Sequence, residues 1–195
     1  MISANLTLLP LNYPEIHTFK RRQSLPTREC ELWRIESGAI RTFTWAEDGI
    51  VVPLGFWGVG DIVGPAISRI QPYQMECLSE VKACCFHSNQ FWRMGSEKFQ
   101  NLDQVMLEHI HQMQELLRIR SGEIPCRLQN LLQWLAKKFG RYTQQGQLIE
   151  LWLTHQDIAD AIGATRVTVT RWLHEFERQG LVNLSCRQNI LINYC

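Results

Sequence analysis

The chain lacks an apolar run of about 18 residues or more, and Met1 is not followed by a charged, apolar, small-residue leader, so neither a membrane span nor a secretory signal is expected. It lacks an excess of either charge, because 20 Lys and Arg stand against 19 Asp and Glu for a formal net charge of +1. Any contact with nucleic acid must therefore come from the placement of charge and not from a global basic field. It lacks a C-x-x-C pair, and its seven cysteines are odd in number and scattered, which fits reduced thiols of a cytoplasmic protein and argues against a disulfide framework. G-x-S-x-G, a Walker loop, H-E-x-x-H and a paired catalytic carboxylate set are all missing, so no enzyme class is supported. Internal repeats and low-complexity tracts are missing as well. What is left is a chain of 195 residues, long enough to bury a core as two unequal domains.

From about residue 25 to 87 the pattern is all-β. Leu32–Ile35, Ile40–Trp45 and Val81–Phe86 alternate with period two, as half-buried strands do. Between them stand the turn signals Glu36-Ser37-Gly38, Glu47-Asp48-Gly49 and Gly58-Val59-Gly60-Asp61, at the intervals of a small antiparallel barrel or jelly roll. After Ser88 the period changes. Leu102, Val105, Met106, His109, Ile110, Met113, Leu116, Leu117 and Arg120 follow a 3-4 spacing, which predicts a long helix over about 98–121. Its apolar stripe is too wide for one partner, and Met106, Ile110, Met113 and Leu117 form the seam expected to pair with a second copy of the chain. Gly122 interrupts the helix, and Pro125 opens another that buries Leu128, Leu131, Leu132, Leu135 and Phe139. Gln144-Gln145-Gly146 then turns the chain into a strand expected over Leu148 to Leu153.

Residues 153–182 carry the functional signal. Thr154 with Asp157 makes a capping-box start, and Ile158, Ala159 and Ile162 give a short helix its buried face. Gly163 permits the left-handed backbone at which two helices meet steeply, and Ala159 is small enough for the second helix to cross close by. That helix is capped by Thr165 and buries Val169, Leu173 and Phe176, leaving Arg166, Val167, Thr170, Arg171 and His174 pointing outward. Arginine can grip guanine O6 and N7 with two bonds and valine can meet a thymine methyl, so Arg166, Val167 and Arg171 are the candidates for reading bases of double-stranded DNA. Thr154, Gln156, Thr165 and Thr168 are candidates for phosphate contacts, as is Arg187 at the tip of a two-stranded wing formed by Leu181 to Cys195. From Thr154 onward four Arg balance four acidic residues, so charge within this module has to be segregated.

On these motifs the chain resembles the Crp/Fnr family of bacterial transcription regulators over most of its length. Gly60-Asp61-Ile62-Val63-Gly64 is similar to the family's β-roll motif, residues 98–121 to its dimer helix, and Leu153 to Val182 to its DNA-binding signature. Thr165–Arg171 resembles in particular the cyanobacterial global nitrogen regulators. The resemblance implies an α+β fold: an N-terminal double-stranded β-helix of jelly-roll, cyclic-nucleotide-binding-like type (1–97), a long dimerisation helix (98–121) and a C-terminal winged helix-turn-helix (122–195). It further implies a homodimer on a palindromic promoter site, with RNA polymerase as a further partner and a sensor event transmitted through a hinge near Ser121-Gly122.

The sensor half departs from the family pattern. Pro65 follows Gly64 where cyclic-nucleotide binders carry a glutamate, and Tyr73-Gln74 lies about where their Arg-Ser or Arg-Thr pair stands, which argues against cyclic AMP. In the nitrogen regulators an arginine and a glutamate of the dimer helix hold 2-oxoglutarate; an ungapped match places Glu108 and Met113 there, where a dianion needs a cation. Cys30 stands apart from the other cysteines, which argues against an iron–sulfur cluster, and adjacent Cys84 and Cys85 fall on opposite faces of a strand. Nothing singles out His87 as a haem ligand over a surface histidine. Two other readings stay open on the residues alone: a winged-helix protein-interaction module using Val167 and Trp172, and a cupin-like metalloenzyme, for which the β-rich half offers only His17 and His87.

Overall fold

Side-chain alternation builds the first half into two antiparallel sheets, in a computed structural model that describes residues 15–88, 102–184 and 190–193. The strands are β1 (Ile16–Phe19), β2 (Glu31–Ser37), β3 (Ile40–Trp45), β4 (Val51–Trp57), β5 (Ile62–Val63), β6 (Gln74–Cys77) and β7 (Val81–His87). One sheet has the order β1-β7-β2-β5 and the other β4-β3-β6. The expected strands fall in β2, β3 and β7. β1 begins before the β-rich region read from the sequence. Its four residues carry little pattern of their own, and pairing with β7, Ile16 opposite Cys84 and Phe19 opposite Val81, makes them a strand. Trp33, Ile35, Ile40, Trp57, Met75 and Val81 are buried between the sheets. The Trp57 indole N–H donates to Thr42 Oγ1 at 2.8 Å, so its one polar atom is satisfied inside the core. The turn at Gly38 needs glycine twice over: φ is +84°, and a Cβ there would lie 2.1 Å from the Glu80 carbonyl oxygen.

Helix α1 (Leu102–Ile119) lies along β4. The helix expected over 98–121 ends at Ile119, one turn before Gly122, and residues 98–101 lie outside the described ones. Val105, Gln112, Leu116 and Ile119 are buried. Gln112 does for β4 what a neighbouring strand would. β4 is an edge strand, so Phe56 presents an N–H and a C=O away from its sheet. The Gln112 amide takes both: Phe56 N–H donates to Oε1 at 3.1 Å, and Nε2 donates to the Phe56 carbonyl at 2.7 Å. One turn earlier His109 places Nε2 2.8 Å from the Ile62 carbonyl oxygen and its ring 4.1 Å from that of Trp57.

Helix α2 (Ile124–Phe139) carries Pro125 in its first turn and buries Leu128, Leu131, Leu132 and Leu135, as the sequence implies. A hairpin of β8 (Gly140–Tyr142) and β9 (Gly146–Ile149) follows. The strand expected over Leu148 to Leu153 is thus corrected: the ladders of β9 with β8 and with β11 (Ile190–Asn193) end at Ile149. Leu151 and Leu153 continue the alternation and are buried, but in irregular chain, so burial periodicity alone misplaced the strand. Helices α3 (His155–Ile162) and α4 (Arg166–Arg178) lead to β10 (Val182–Leu184), which joins the wing sheet in the order β10-β11-β9-β8. The wing tip with Arg187 lies outside the described residues.

The two halves share apolar packing. Leu116 and Ile119 of α1 join Leu128, Ile158, Val169 and Leu173 in one cluster that also takes in Ala39, Phe56 and Leu78 of the β-sandwich. Lys138 adds a polar tie, with Nζ 3.0 Å from Asp61 Oδ2 and 2.7 Å from Glu108 Oε1. Gln112→Leu is expected to lower the free energy of unfolding by about 2–4 kcal/mol, because it strands two buried backbone groups where each costs about 1–3 kcal/mol. Chemical denaturation of the two proteins checks this.

Candidate nucleic-acid interface

The start of α3 is fixed by two reciprocal bonds. Thr154 Oγ1 accepts from the Asp157 N–H at 3.1 Å, and Asp157 Oδ2 accepts from the Thr154 N–H at 2.7 Å, the capping box anticipated from those residue types. The helix ends at Gly163, whose φ of 66° and ψ of 48° are left-handed, with Ala159 fully buried beneath the crossing helix. Thr165 then caps α4, accepting from the Thr168 N–H at 3.2 Å. Val169, Leu173 and Phe176 are buried, as their 4-3 spacing requires. This fixes the outer face. Arg166, Val167 and Arg171 are all exposed on the first half of α4, Val167 at 78 %. A lone exposed valine is ordinary on a protein surface, so it acquires meaning only from the flanking arginines.

The candidate phosphate contacts gather at the two helix N-termini, where unpaired N–H groups and the helix dipole favour an anion. Thr154 and Gln156 lie at the start of α3, Thr165 and Thr168 at the start of α4. Three of them already bond to other side chains: the hydroxyls of Thr165 and Thr168 lie 2.8 Å apart, and Gln156 Nε2 donates to Asp160 Oδ1 at 2.7 Å. Thr170, expected to point outward, is half-buried. Its hydroxyl donates to the Arg166 carbonyl at 2.9 Å, which leaves its oxygen to accept from His155 Nδ1 at 2.7 Å. Burial, and then the nearby His174 and Arg166, push the His155 imidazole below its ordinary value. Neutral His155 thus ties the first turn of α3 to the recognition turn of α4. Sequence reading missed this contact, because it exists only once Gly163 sets the crossing.

The module segregates its charge as its neutrality demands. Asp157 pairs with Arg22 and Arg41, Asp160 approaches Arg41, Glu175 pairs with Arg178, and Glu177 faces His174. Arg166 and Arg171 are left without a carboxylate partner among the described residues.

On α1, Ile110, Met113 and Leu117 are exposed, Leu117 at 68 %, and Met106 is half-buried. All four border a groove of about 420 Å³ whose other wall includes Val52, Leu54, Trp57 and Ile70. Arg69 and Arg120 are the arginines among the groove's lining residues; Arg120 closes the stripe read from the sequence, and Arg69 was assigned no role there. Glu108 is not among the groove's lining residues: its carboxylate is bound to Lys138, and although burial acts to raise it, that bond holds it below the usual range. Burial lifts the thiols of Cys77 to about 12 and Cys85 to about 11, so neither is a ready thiolate. Groups of three or more metal-ligating side chains are absent among the described residues.

A model of the Crp-like helix-turn-helix domain matches residues 126–194. The regulatory protein CysR of Synechococcus elongatus is 36% identical over 166 residues, which is 84% of this chain and 77% of that protein. The chain belongs to the Crp/Fnr family. It is therefore a DNA-binding transcription regulator and not an enzyme. The global nitrogen regulator of the same organism is 40% identical over 71 residues, only 36% of this chain and 32% of that protein, so the likeness to that branch is local. The solved structure of FixK2 from Bradyrhizobium japonicum superposes with a TM-score of 0.78 over 93% of both chains at 14% identity, which extends the shared fold through the sensor half.

Asp157 gives the module an acid limit. Burial acts to raise its carboxyl, but Arg22, Arg41 and the Thr154 N–H outweigh burial and hold it below the usual range. A carboxyl depressed by folding contributes stability above its unfolded value of about 3.9 and loses it as pH falls through the folded value. Asp157→Asn is accordingly expected to be less stable than the parent by about 2–4 kcal/mol at neutral pH, with the gap closing below about pH 4. Thermal or denaturant unfolding of both proteins across pH measures it.

Proposed function

We propose that two copies of the chain pair through α1 and bind a roughly palindromic promoter site in the cytoplasm, with α4 of each copy entering successive major grooves about 34 Å apart. The observation that carries this reading is the outer face of α4, where Arg166, Val167 and Arg171 share an exposed surface from which the module's carboxylates are held away. Arg166 and Arg171 read guanines through paired bonds, and Val167 meets a thymine methyl. Thr154, Gln156, Thr165 and Thr168 seat the module on phosphates, and Arg187 is given the same role on sequence alone.

Met106, Ile110, Met113 and Leu117 form the dimer seam. Val105, Leu116 and Ile119 satisfy the helix's own chain, so an exposed apolar strip remains beside an apolar groove, the surface a second α1 covers. The division of labour follows: 1–97 for sensing, 98–121 for dimerisation and 122–195 for DNA. RNA polymerase is the third partner in this proposal, the one that a regulator acting as an activator at a promoter would contact. No described helix is long and apolar enough to cross a membrane.

Selection from a randomised DNA pool tests the whole reading. A palindrome with a steep loss of affinity on added salt is expected. Arg166→Ala and Arg171→Ala should each weaken the selected site by about 10- to 100-fold and relax base preference, whereas Thr168→Ala weakens all sequences alike. Met113→Glu with Leu117→Glu should sediment as a monomer and lose the palindrome. Recovery of no preferred sequence, with the arginine variants unchanged, would instead favour a protein-interaction role for α4.

A further inference from the structure

The acidic residues of α3 are held by the other half of the chain. Arg22 lies in the turn that follows β1, and Arg41 lies on β3, yet both reach Asp157. Arg22 Nη2 is 2.5 Å from Asp157 Oδ2 and its Nη1 is 3.1 Å from Oδ1. Arg41 Nη1 is 2.8 Å from Asp157 Oδ1 and 3.5 Å from Asp160 Oδ2. Glu76 on β6 stands behind both guanidiniums, 2.5 Å from Arg22 Nη1 and 3.4 Å from Arg41 Nη2, and so fixes them from the sandwich side. The cluster is largely dry: Asp157 is 3 % exposed. Alongside, Arg21 Nη2 donates to the Trp152 carbonyl at 3.0 Å and its guanidinium lies over the Trp152 ring. Arg120, just past α1, donates to the carbonyls of Asp160 and Ala161, at 2.7 and 3.1 Å.

A further observation says that this contact is built. Arg22 has a φ of 67°, a left-handed conformation that a residue with a Cβ keeps only where its surroundings enforce it. Its N–H bonded to the Cys77 carbonyl at 2.8 Å, and the Lys20–Gln23 turn, are what enforce it. The covalent link between α1 and α2 turns at Gly122, which has a φ of 87° and whose carbonyl accepts from Arg127 Nε at 2.7 Å. The ion pairs on Asp157 and Asp160 act beside that link and the shared apolar cluster in setting how α3 and α4 sit on the sandwich.

We infer that Arg22 and Arg41 are positioning residues for DNA binding, through which the β-sandwich grips α3 and sets the orientation of the recognition helix. This rests on the reading that α3 and α4 bind DNA. The grip has an electrostatic share as well. Gln156, a candidate phosphate contact, is bonded to Asp160, and Thr154 to Asp157. A phosphate arriving there meets these carboxylates with their charge offset in part by Arg22 and Arg41. A change in the sandwich can therefore reach α3 directly, without travelling along α1.

The test uses the full chain with Arg22→Met, Arg41→Met and both together, methionine keeping the apolar stem. Hydrogen exchange is read across residues 118–124 and α3, and affinity is read on the DNA site selected by the parent protein. The double variant is expected to stay folded, to exchange roughly tenfold faster in both segments and to bind the site about tenfold or more weakly. Adding Asp157→Asn and Asp160→Asn should recover part of the affinity and none of the exchange protection. Unchanged exchange, or affinity that is unchanged or raised, overturns the inference. If the methionine pair does not fold, Arg22→Lys with Arg41→Lys, which keeps the charge and loses the paired bonds, must show the same two changes in smaller measure. If the parent protein selects no DNA site, the DNA reading fails, and the exchange measurement still decides the grip.

Discussion

Everything else in this molecule is arranged around helix α1 having more apolar surface than its own chain can cover. One face is used internally. Gln112 seals the edge of β4 with two bonds to Phe56, His109 lies against Trp57, and Leu116 and Ile119 reach into the cluster shared with α2, α3 and α4. The helix is thereby fixed in rotation, since a polar amide aimed at one backbone residue tolerates no slip. That fixed rotation leaves Ile110, Met113 and Leu117 in solvent beside the groove. A buried polar anchor on one side and an exposed apolar strip on the other are two consequences of the same geometry.

The second constraint is charge. With a formal net charge of +1 the chain has no long-range field to draw it to DNA, and its C-terminal module is balanced as well. The arrangement works locally instead. Carboxylates of α3 are turned toward arginines of the sandwich, those of α4 toward Arg178 and His174, and Arg166 and Arg171 keep their charge available on the outer face. Neutrality overall and basicity on one face are compatible because the carboxylates are engaged elsewhere, those of α4 within the helix and Asp157 by partners from far along the chain.

This also explains what could be read in advance. The Thr154–Asp157 cap, the left-handed Gly163, the buried Val169, Leu173 and Phe176, and the Met106–Leu117 strip depend on residues within a turn or two of each other, where spacing is informative. The missed features depend on distant partners. Gln112 and Phe56 are 56 positions apart, Arg22 and Asp157 are 135 apart, and β1 exists as a strand only because β7 pairs with it. The contact of His155 with Thr170 is only 15 positions long but crosses the turn, so no periodicity announces it. In the sensor half, an ungapped match drew attention to Glu108, whereas the fold engages that carboxylate with Lys138 and puts Arg69 and Arg120 on the groove.

The central claim is that the exposed strip of α1 and the outer face of α4 belong to one assembly, in which two chains present two recognition helices to one duplex. Native mass spectrometry of the protein on a duplex carrying its selected site tests this most directly. The account predicts two chains per duplex and no populated complex with one chain. A saturating complex of one chain per duplex would contradict it.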